Sequence, residues 1–444
     1  MEKRIKFLLI NPTASQWRVA PGTRPPKTTQ IFRYSMLTSL YVAAAMPPFV
    51  ETRIIDEDVE PVDFDSDADL IGISFMTFNA PRAYEIADRF RKERNKKVIV
   101  GGFHPTFMPE EALEHADAVC AGEAENILPV MINDFLSGSL KRIYRNGPVD
   151  LRGLPVPDRN LLQRSSYAMP DTVQATRGCP QRCKFCSITE FFGHKFRSRP
   201  ADEVIDELKT LRTHLLFMDD NIVTDTKYAK DLFRQMIPLR KRWYSQCSIR
   251  IAYDGELLDL AAQSGCRGLF IGFESLCEQN LKDWRKSINK SKDFAWAVRN
   301  IHARGIAVMA AIVFGDDGDT KRIFPETLGF LLDSNIDVLQ ATILTPFPGT
   351  PLFTEMDESG RIVDKDWGHY DFRHVVFEPK NMRREELKEG HDWVLQEFYS
   401  RKSIASRFAR ELSYLRPATM MRATVPLNIS YRTRLSKDGT FAAV

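Results

Sequence analysis

Short apolar runs recur along this chain, and in its first third they alternate with stretches of helix length. RIKFLLINP, TRIIDED, ADLIGISF and KVIVGGFH hold near-continuous apolar segments, the pattern of strands buried on both faces. FRYSMLTSLYVAAAM and APRAYEIADRFRKERN between them have helix length and helical spacing. Strands separated by amphipathic helices predict a doubly wound, Rossmann-like α/β domain over residues 1–150. LRGLPVPDRN carries two prolines and a glycine without periodicity, so 151–165 reads as a linker. The alternation then resumes, with strands predicted at TVQAT (172–176), LLFMDD (215–220), WYSQCSI (243–249), GLFIGFES (268–275), IAVMAAIVFG (306–315) and VLQATILTPF (338–347). Six such strands with right-handed crossovers can curl into a partial (β/α)6 barrel of the triosephosphate-isomerase type, expected over 166–380. RREELKEGHDWVLQEFYSRKSIASRFARELSYL reads as one or two amphipathic helices, opening a helical, basic extension over 381–444.

Charge narrows the class. Lys+Arg 62 against Asp+Glu 59 leaves a formal charge of +3, which is no footprint of a nucleic-acid binder. The apolar run near the N-terminus is too short for a signal peptide, and no stretch reaches the ~18 apolar residues of a membrane span. A cytoplasmic protein with reduced thiols is expected, and seven cysteines, an odd number, argue against a disulfide framework. From Arg401 onward nine basic residues stand against Glu411 and Asp438. A solvated helix face on the barrel accounts for them, and so does peripheral contact with anionic lipid.

The candidate chemistry sits directly after the first barrel strand, where such barrels carry their functional loops. TRGCPQRCKFCSIT places Cys179, Cys183 and Cys186 within eight residues. A disulfide would strand one thiol, and structural zinc takes four protein ligands, with His194 lacking a familiar spacing for the fourth. A [4Fe–4S] cluster is normally held by four thiolates, so three leave one iron open to a ligand from outside the protein.

CxxxCxφC with Phe185 at the aromatic place resembles the signature of the radical S-adenosylmethionine superfamily. FMDDN (217–221), GFES (272–275), IVFGDDGDT (312–320) and TPFPGTPL (345–352) are similar to the strand-end motifs of its class B, methyltransferase-like subgroup, which carries an N-terminal cobalamin-binding domain. GGFHPT (101–106) and GEAE (122–125) match that domain. The resemblance covers roughly residues 4–380 and implies three cofactors: a [4Fe–4S] cluster on Cys179, Cys183 and Cys186, S-adenosylmethionine and cobalamin. It implies that one electron from the cluster splits S-adenosylmethionine into methionine and a 5′-deoxyadenosyl radical.

Around these cofactors Glu274 is suited to the ribose or amino group of S-adenosylmethionine, or else to capping the next helix. Arg250 suits its carboxylate, or a surface ion pair. One of Asp219 and Asp220 faces the pocket while the other caps a turn. Gly315 to Gly318 allow close backbone approach, as a plain turn also would. In the first domain Gly72, Gly101, Gly102, Gly122 and Glu123 are the cobalamin contacts the resemblance implies. DxHxxG, the motif that supplies a histidine to cobalt, is absent, so His104 either meets the corrin or caps its turn. Trp367, His369, Tyr370 and His374 line a substrate pocket or cover the barrel seam. Cys120, Cys247, Cys266 and Cys277 are scattered, and the first three pack as small hydrophobes.

The expected activity is cobalamin-assisted methyl transfer to an unactivated carbon of a small-molecule or lipid-like substrate, with a flavodoxin or ferredoxin as reductant and no nucleic acid. Radical cyclisation or oxidation without methyl transfer is the enzyme alternative, and a corrinoid sensor or iron–sulfur electron carrier the non-enzyme one.

Overall fold

The structure is a computed structural model, and it describes residues 4–14, 30–286 and 288–438. Residues 439–444 of the basic extension lie outside the described residues. Two six-stranded sheets, each wholly parallel, organise the chain.

The first contains β1 (Ile5–Asn11), β2 (Val50–Asp56), β3 (Leu70–Ser74), β4 (Lys97–Gly101), β5 (Ala118–Ala121) and β6 (Ile143–Arg145), in the order β2-β1-β3-β4-β5-β6. That order reverses direction between β1 and β3, the switch point outside which an open α/β sheet binds ligands at its carboxyl edge. Helices Leu37–Ala44 and Leu128–Leu136 pack on one face and Ala80–Arg94 on the other, and both cores mix aliphatic with aromatic side chains. Leu8, Ile10, Ile71, Ile73, Val98 and Val100 are all buried, which is why these strands read as unbroken apolar runs.

The second sheet is the barrel. Its strands are β7 (Thr172–Val173), β10 (His214–Phe217), β11 (Arg242–Cys247), β12 (Cys266–Glu274), β13 (Ala307–Phe314) and β14 (Val338–Ile343), and they run in chain order across the sheet. A two-residue antiparallel ladder, β8 (Thr176–Arg177) with β9 (Arg197–Ser198), brackets the cysteine loop. The predicted strand TVQAT is split in the structure. β7 ends at Val173, and the chain resumes as β8, because the Ala175 and Thr176 amides leave the sheet to donate to Asp219 (3.2 and 2.6 Å).

The barrel is open between β7 and β14, and both edges are capped. Tyr399 takes the Leu339 amide (3.0 Å) and donates to the Leu339 carbonyl (2.6 Å), while the Ile343 amide finds the Phe372 carbonyl (2.8 Å). On the other edge Tyr34 bridges Met169, and the Ser35 hydroxyl meets Thr172 Oγ1 (2.7 Å). Capping these backbone rows removes the template that an open sheet edge offers to other chains.

The extension beyond 380 forms helices Arg384–Phe398 and Arg401–Glu411, then a short π segment (Met420–Thr424) leading into Val425–Asp438. Arg407 latches it. Its guanidinium, buried, donates to the carbonyls of Asp337 (2.7 Å) and Phe398 (2.9 Å) and to Asn428 Oδ1 (2.8 Å). Tyr431 stacks on Tyr399 and meets Phe32 edge-on, so this helix and the segment near Phe32 together close the seam. No helix among the described residues is long and apolar enough to cross a membrane.

Candidate functional site

The carboxyl edges of the two sheets face each other, and the site lies where they meet. Phe103, after β4, stacks on Phe191 of the helix that follows the cysteines, with centroids 4.4 Å apart. Phe107 lies against Gly349 in the loop after β14. Glu123, after β5, takes both Arg197 nitrogens (2.7 Å each) and Arg177 (3.5 Å), the two arginines paired across the β8–β9 ladder.

The cysteine loop is held at its root and its tip. Gly178 sits at φ +80°, where a Cβ would stand 2.1 Å from the Lys195 carbonyl oxygen, and its amide donates to Asp220 (2.8 Å). At the tip Phe185 packs edge-on against Trp284, the Lys184 amide reaches the Trp284 carbonyl (3.3 Å), and the Leu352 amide reaches Lys184 (3.1 Å). Cys179, Cys183 and Cys186 are free thiols. Burial pushes all three up, Cys183 to about 12, and Lys286 pulls each of them back down.

Lys286 is a site residue that sequence reasoning missed. It lies in the polar connection after β12, with no motif around it, and meets the thiols only in the fold. Its ammonium donates to Glu274 Oε1 (2.6 Å). Burial opposes its charge, yet the negative charge of Glu274 and of Cys183 holds the group well above the ordinary lysine range. The GFES motif makes room for this pair, since a Cβ on Gly272 would stand 2.1 Å from Glu274 Oε1 and 3.2 Å from Lys286 Nζ. Glu274 itself adopts φ +68°, a left-handed backbone uncommon for a residue with a side chain. It does not cap the next helix, whose N-cap is Cys277.

Both carboxylates of FMDDN are engaged. Asp219 accepts from the amides of Ala175 and Thr176 and from the Thr176 hydroxyl (2.5 Å), while Asp220 accepts from Gly178. Burial raises Asp219 to about 7 and Asp220 to about 6. Asn221 Oδ1 holds the Ser248 amide (2.9 Å), fixing the turn after β11. Arg250, in the turn that follows, is exposed.

In the first domain Gly72 lies within β3, and the space beside it is filled by the Phe7 ring, which a Cβ would meet at 2.3 Å. Gly101 ends β4. Gly102, at φ +102°, lets the chain turn over the β3 tip, for a Cβ there would meet the Phe75 carbonyl at 2.7 Å. The Gly122 amide donates to Thr106 Oγ1 (3.0 Å). His104 is fully buried, with Nε2 3.0 Å from the Tyr84 hydroxyl and 3.4 Å from Glu111, while its buried Nδ1 has no hydrogen-bond partner. Trp367 closes over it at 5.2 Å and donates to Glu111 (2.9 Å), so Trp367 joins the barrel to the first domain. His369 and His374 stack at 4.5 Å, each on its own aspartate, and Tyr370 is buried.

A cavity of about 850 Å³ runs down the barrel interior. Asp219, Asp220 and Gln246 line its upper end, Leu216 and Met309 its middle, and Tyr431 its closing wall.

Comparison with known proteins matches this arrangement domain by domain. Residues 37–132 fit the B12 binding domain, and residues 173–331 fit the radical SAM superfamily. Bacteriochlorophyllide d C-12(1)-methyltransferase of Chlorobaculum tepidum is 34% identical over 386 residues, covering 84% of each chain. The chain belongs to the cobalamin-dependent radical S-adenosylmethionine methyltransferases. Bacteriochlorophyllide d C-8(2)-methyltransferase of the same organism is 27% identical across 77% of this chain and 79% of its own. The solved structure of the radical S-adenosylmethionine methyltransferase TsrM from Kitasatospora setae, with cobalamin and a [4Fe–4S] cluster bound, shares the fold at TM-score 0.64 and 19% identity, covering 94% of this chain and 92% of that one.

As in other methyltransferases of this family, the cofactors are a [4Fe–4S] cluster, S-adenosylmethionine and cobalamin. The donor set fits the cluster: three free thiols on one short loop face a buried ammonium, which favours their thiolate forms. Among the described residues no group of three His, Cys, Asp or Glu side chains converges as a single metal ion requires. The wider reach of a four-iron cluster does not ask for such convergence.

Proposed function

We propose that this methyltransferase acts on an unactivated carbon of a large, mainly apolar molecule of tetrapyrrole size, as its bacteriochlorophyllide relatives do by name. The cavity carries the reading. Its roughly 850 Å³ lies at the upper end of the range for small-molecule sites, its mid-section is apolar, and its mouth is the strand end beside the cysteine loop.

When bound, the cluster supplies the electron that breaks a sulfonium C–S bond of S-adenosylmethionine, and cobalamin supplies the methyl group. The chain's own residues prepare that chemistry. Cys179, Cys183 and Cys186 would hold the cluster, three thiolates for its four irons. Lys286 keeps a positive charge beside the thiolates, and Glu274, fixed by Lys286, offers its second oxygen to the cosubstrate's ribose or ammonium. Gly102 and the turn after β5 shape the carboxyl edge of the first sheet, which would hold cobalamin on the side that faces the barrel. A reduced flavodoxin or ferredoxin delivers the electron.

Anaerobic reconstitution with methyl-deuterated S-adenosylmethionine and bacteriochlorophyllide d tests the reading. The expected result is a product heavier by one labelled methyl group, with 5′-deoxyadenosine and S-adenosylhomocysteine formed in step. Deoxyadenosine with an oxidised or cyclised product that carries no label would replace methyl transfer with the cyclase-type outcome.

A further inference from the structure

The far end of the same cavity is built differently from its mouth. Strand order sets this floor. His214 opens β10, Arg242 opens β11 in register with it, and Arg267 follows Cys266 at the start of β12. The extension brings two more cations beneath them, Arg416 and Arg422, and Arg422 Nη1 lies 2.9 Å from His214 Nε2. His214, Tyr244 and Arg422 line the cavity. Arg267 is nine-tenths buried, with Nη1 on the Cys266 carbonyl (2.6 Å).

Arg422 lines the end of the cavity, Arg242 and Arg267 stand beside it at the strand starts, and Arg416 follows Leu415, which packs on Ala307 at the start of β13; Arg416 and Arg422 are exposed, and among the described residues none of the four has a carboxylate partner. Burial first, then Arg242 and Arg416, pull Arg267 below its ordinary value, while Arg242 and Arg422 act on His214 in the same sense. Arg212, which also lines the cavity, is paired with Asp171 (3.0 Å). Like charges collected against a low-dielectric wall repel, and an anion from outside the chain relieves that repulsion most effectively when guanidiniums grip it by charge-assisted hydrogen bonds.

We propose that Arg242, Arg267, Arg416 and Arg422 form an anion site at the barrel floor that takes the carboxylate or phosphate of an amphipathic substrate whose apolar body fills the cavity. Five residue steps along β10, from His214 to Asp219, set the anion about 17 Å below the strand-end aspartates at ~3.3 Å per residue. A molecule gripped at the floor thus presents a carbon at the opposite end of its body to the mouth, and the spacing selects substrates by length. This rests on the cavity being the substrate site of the proposed methyl transfer.

Binding of 1-pyrenebutyrate and of its methyl ester to the holoenzyme, followed by pyrene fluorescence, tests it without turnover. The acid is expected to bind about ten-fold tighter than the ester or better, the least that one charge-assisted hydrogen-bonded contact supplies. An Arg242→Gln/Arg422→Gln pair should lose that preference, and an Arg242→Lys/Arg422→Lys pair should keep most of it, with the cluster and cobalamin visible bands marking intact folds. Equal binding of acid and ester by the unmodified enzyme, no binding of the acid, or a preference that survives the glutamine pair overturns the site. Vesicles of phosphatidylglycerol form a second arm. If the glutamine pair releases the protein from vesicles but leaves acid binding unchanged, the arginines are a lipid-surface patch and the proposal fails. Because none of these readings needs product, the site can fail while labelled methyl transfer persists, and the reverse.

Discussion

Lys286 and Glu274 show how one buried pair serves two purposes. Each neutralises the other within a site that excludes water, and the ammonium also faces three thiols. Removing one partner leaves an uncompensated buried charge. Lys286→Met is expected to destabilise the chain by about 3–5 kcal/mol, and the Lys286→Met/Glu274→Gln pair by clearly less than the sum of its two single changes. Urea denaturation of the four proteins checks this, and additive losses would show that the two groups do not depend on each other. The strand-end aspartates give a pH signature. Burial raises Asp219 to about 7 from an ordinary 3.8, and Asp220 to about 6. Between those values the folded chain holds protons that the unfolded chain has released, so stability falls as pH rises from about 4 to about 7. Asp219→Asn removes the largest of these groups from the titration, and its urea midpoint should vary less steeply between pH 4.5 and 7.5 than that of the unmodified protein. An unchanged slope would rule out Asp219 as a source of the pH dependence.

The β8–β9 ladder is the smallest sheet in the molecule and the one on which the cysteine loop depends. Gly178 ends it at φ +80° with the Lys195 carbonyl in the place of a side chain. Gly178→Ala should cost about 1–2 kcal/mol for the left-handed backbone alone. Contact with Lys195 adds to this and parts the two ends of the loop, so bound iron and sulfide per chain should fall while the barrel's far-ultraviolet circular dichroism is retained. Full iron loading would show that the loop tolerates the shift. This ladder was not legible in the sequence, because two-residue strands leave no periodicity to read. The long strands were legible, since burial on both faces writes them as apolar runs such as LIGIS and AVMAAIVF. The cysteine loop announced itself through spacing, which is a local property. Lys286 and the floor arginines did not, for their meaning lies in what surrounds them: Arg242, Arg267, Arg416 and Arg422 come from two strands and the C-terminal extension, and coincide only when the seam closes.

At the scale of the whole molecule, methyl transfer needs two cofactors on two domains to face one substrate carbon, whereas splitting S-adenosylmethionine needs the barrel alone. What sets the domains in register is a small group of contacts; Glu125 pairs with Arg177 (2.6 Å), and beside it stands Glu123. It is buried after β5, accepts a two-pronged grip from Arg197, and also engages Arg177 and the Val149 amide. The arginines it holds form the root of the cysteine loop, so the same carboxylate that joins the domains also locates the cluster relative to the first sheet. Phe103 on Phe191, Trp367 on the Glu111 carboxylate and Arg177 on Glu125 are contacts that survive its loss. Glu123→Gln keeps the shape but removes the charge that half-buried Arg197 grips and that Arg177 shares with Glu125, and it should weaken the interface by about 3 kcal/mol without unfolding either sheet. The consequence for chemistry is asymmetric. Deoxyadenosine formation should stay within about two-fold, while methylated product per deoxyadenosine should drop about ten-fold, since even a displacement near 1 Å is felt strongly in a transfer between separately held groups. Measuring both products from one anaerobic reaction decides the matter. A ratio equal to that of the unmodified enzyme would mean that the remaining contacts, Arg177 on Glu125 among them, align the domains by themselves, and a parallel loss of both products would mean that Glu123 acts through the cluster loop instead.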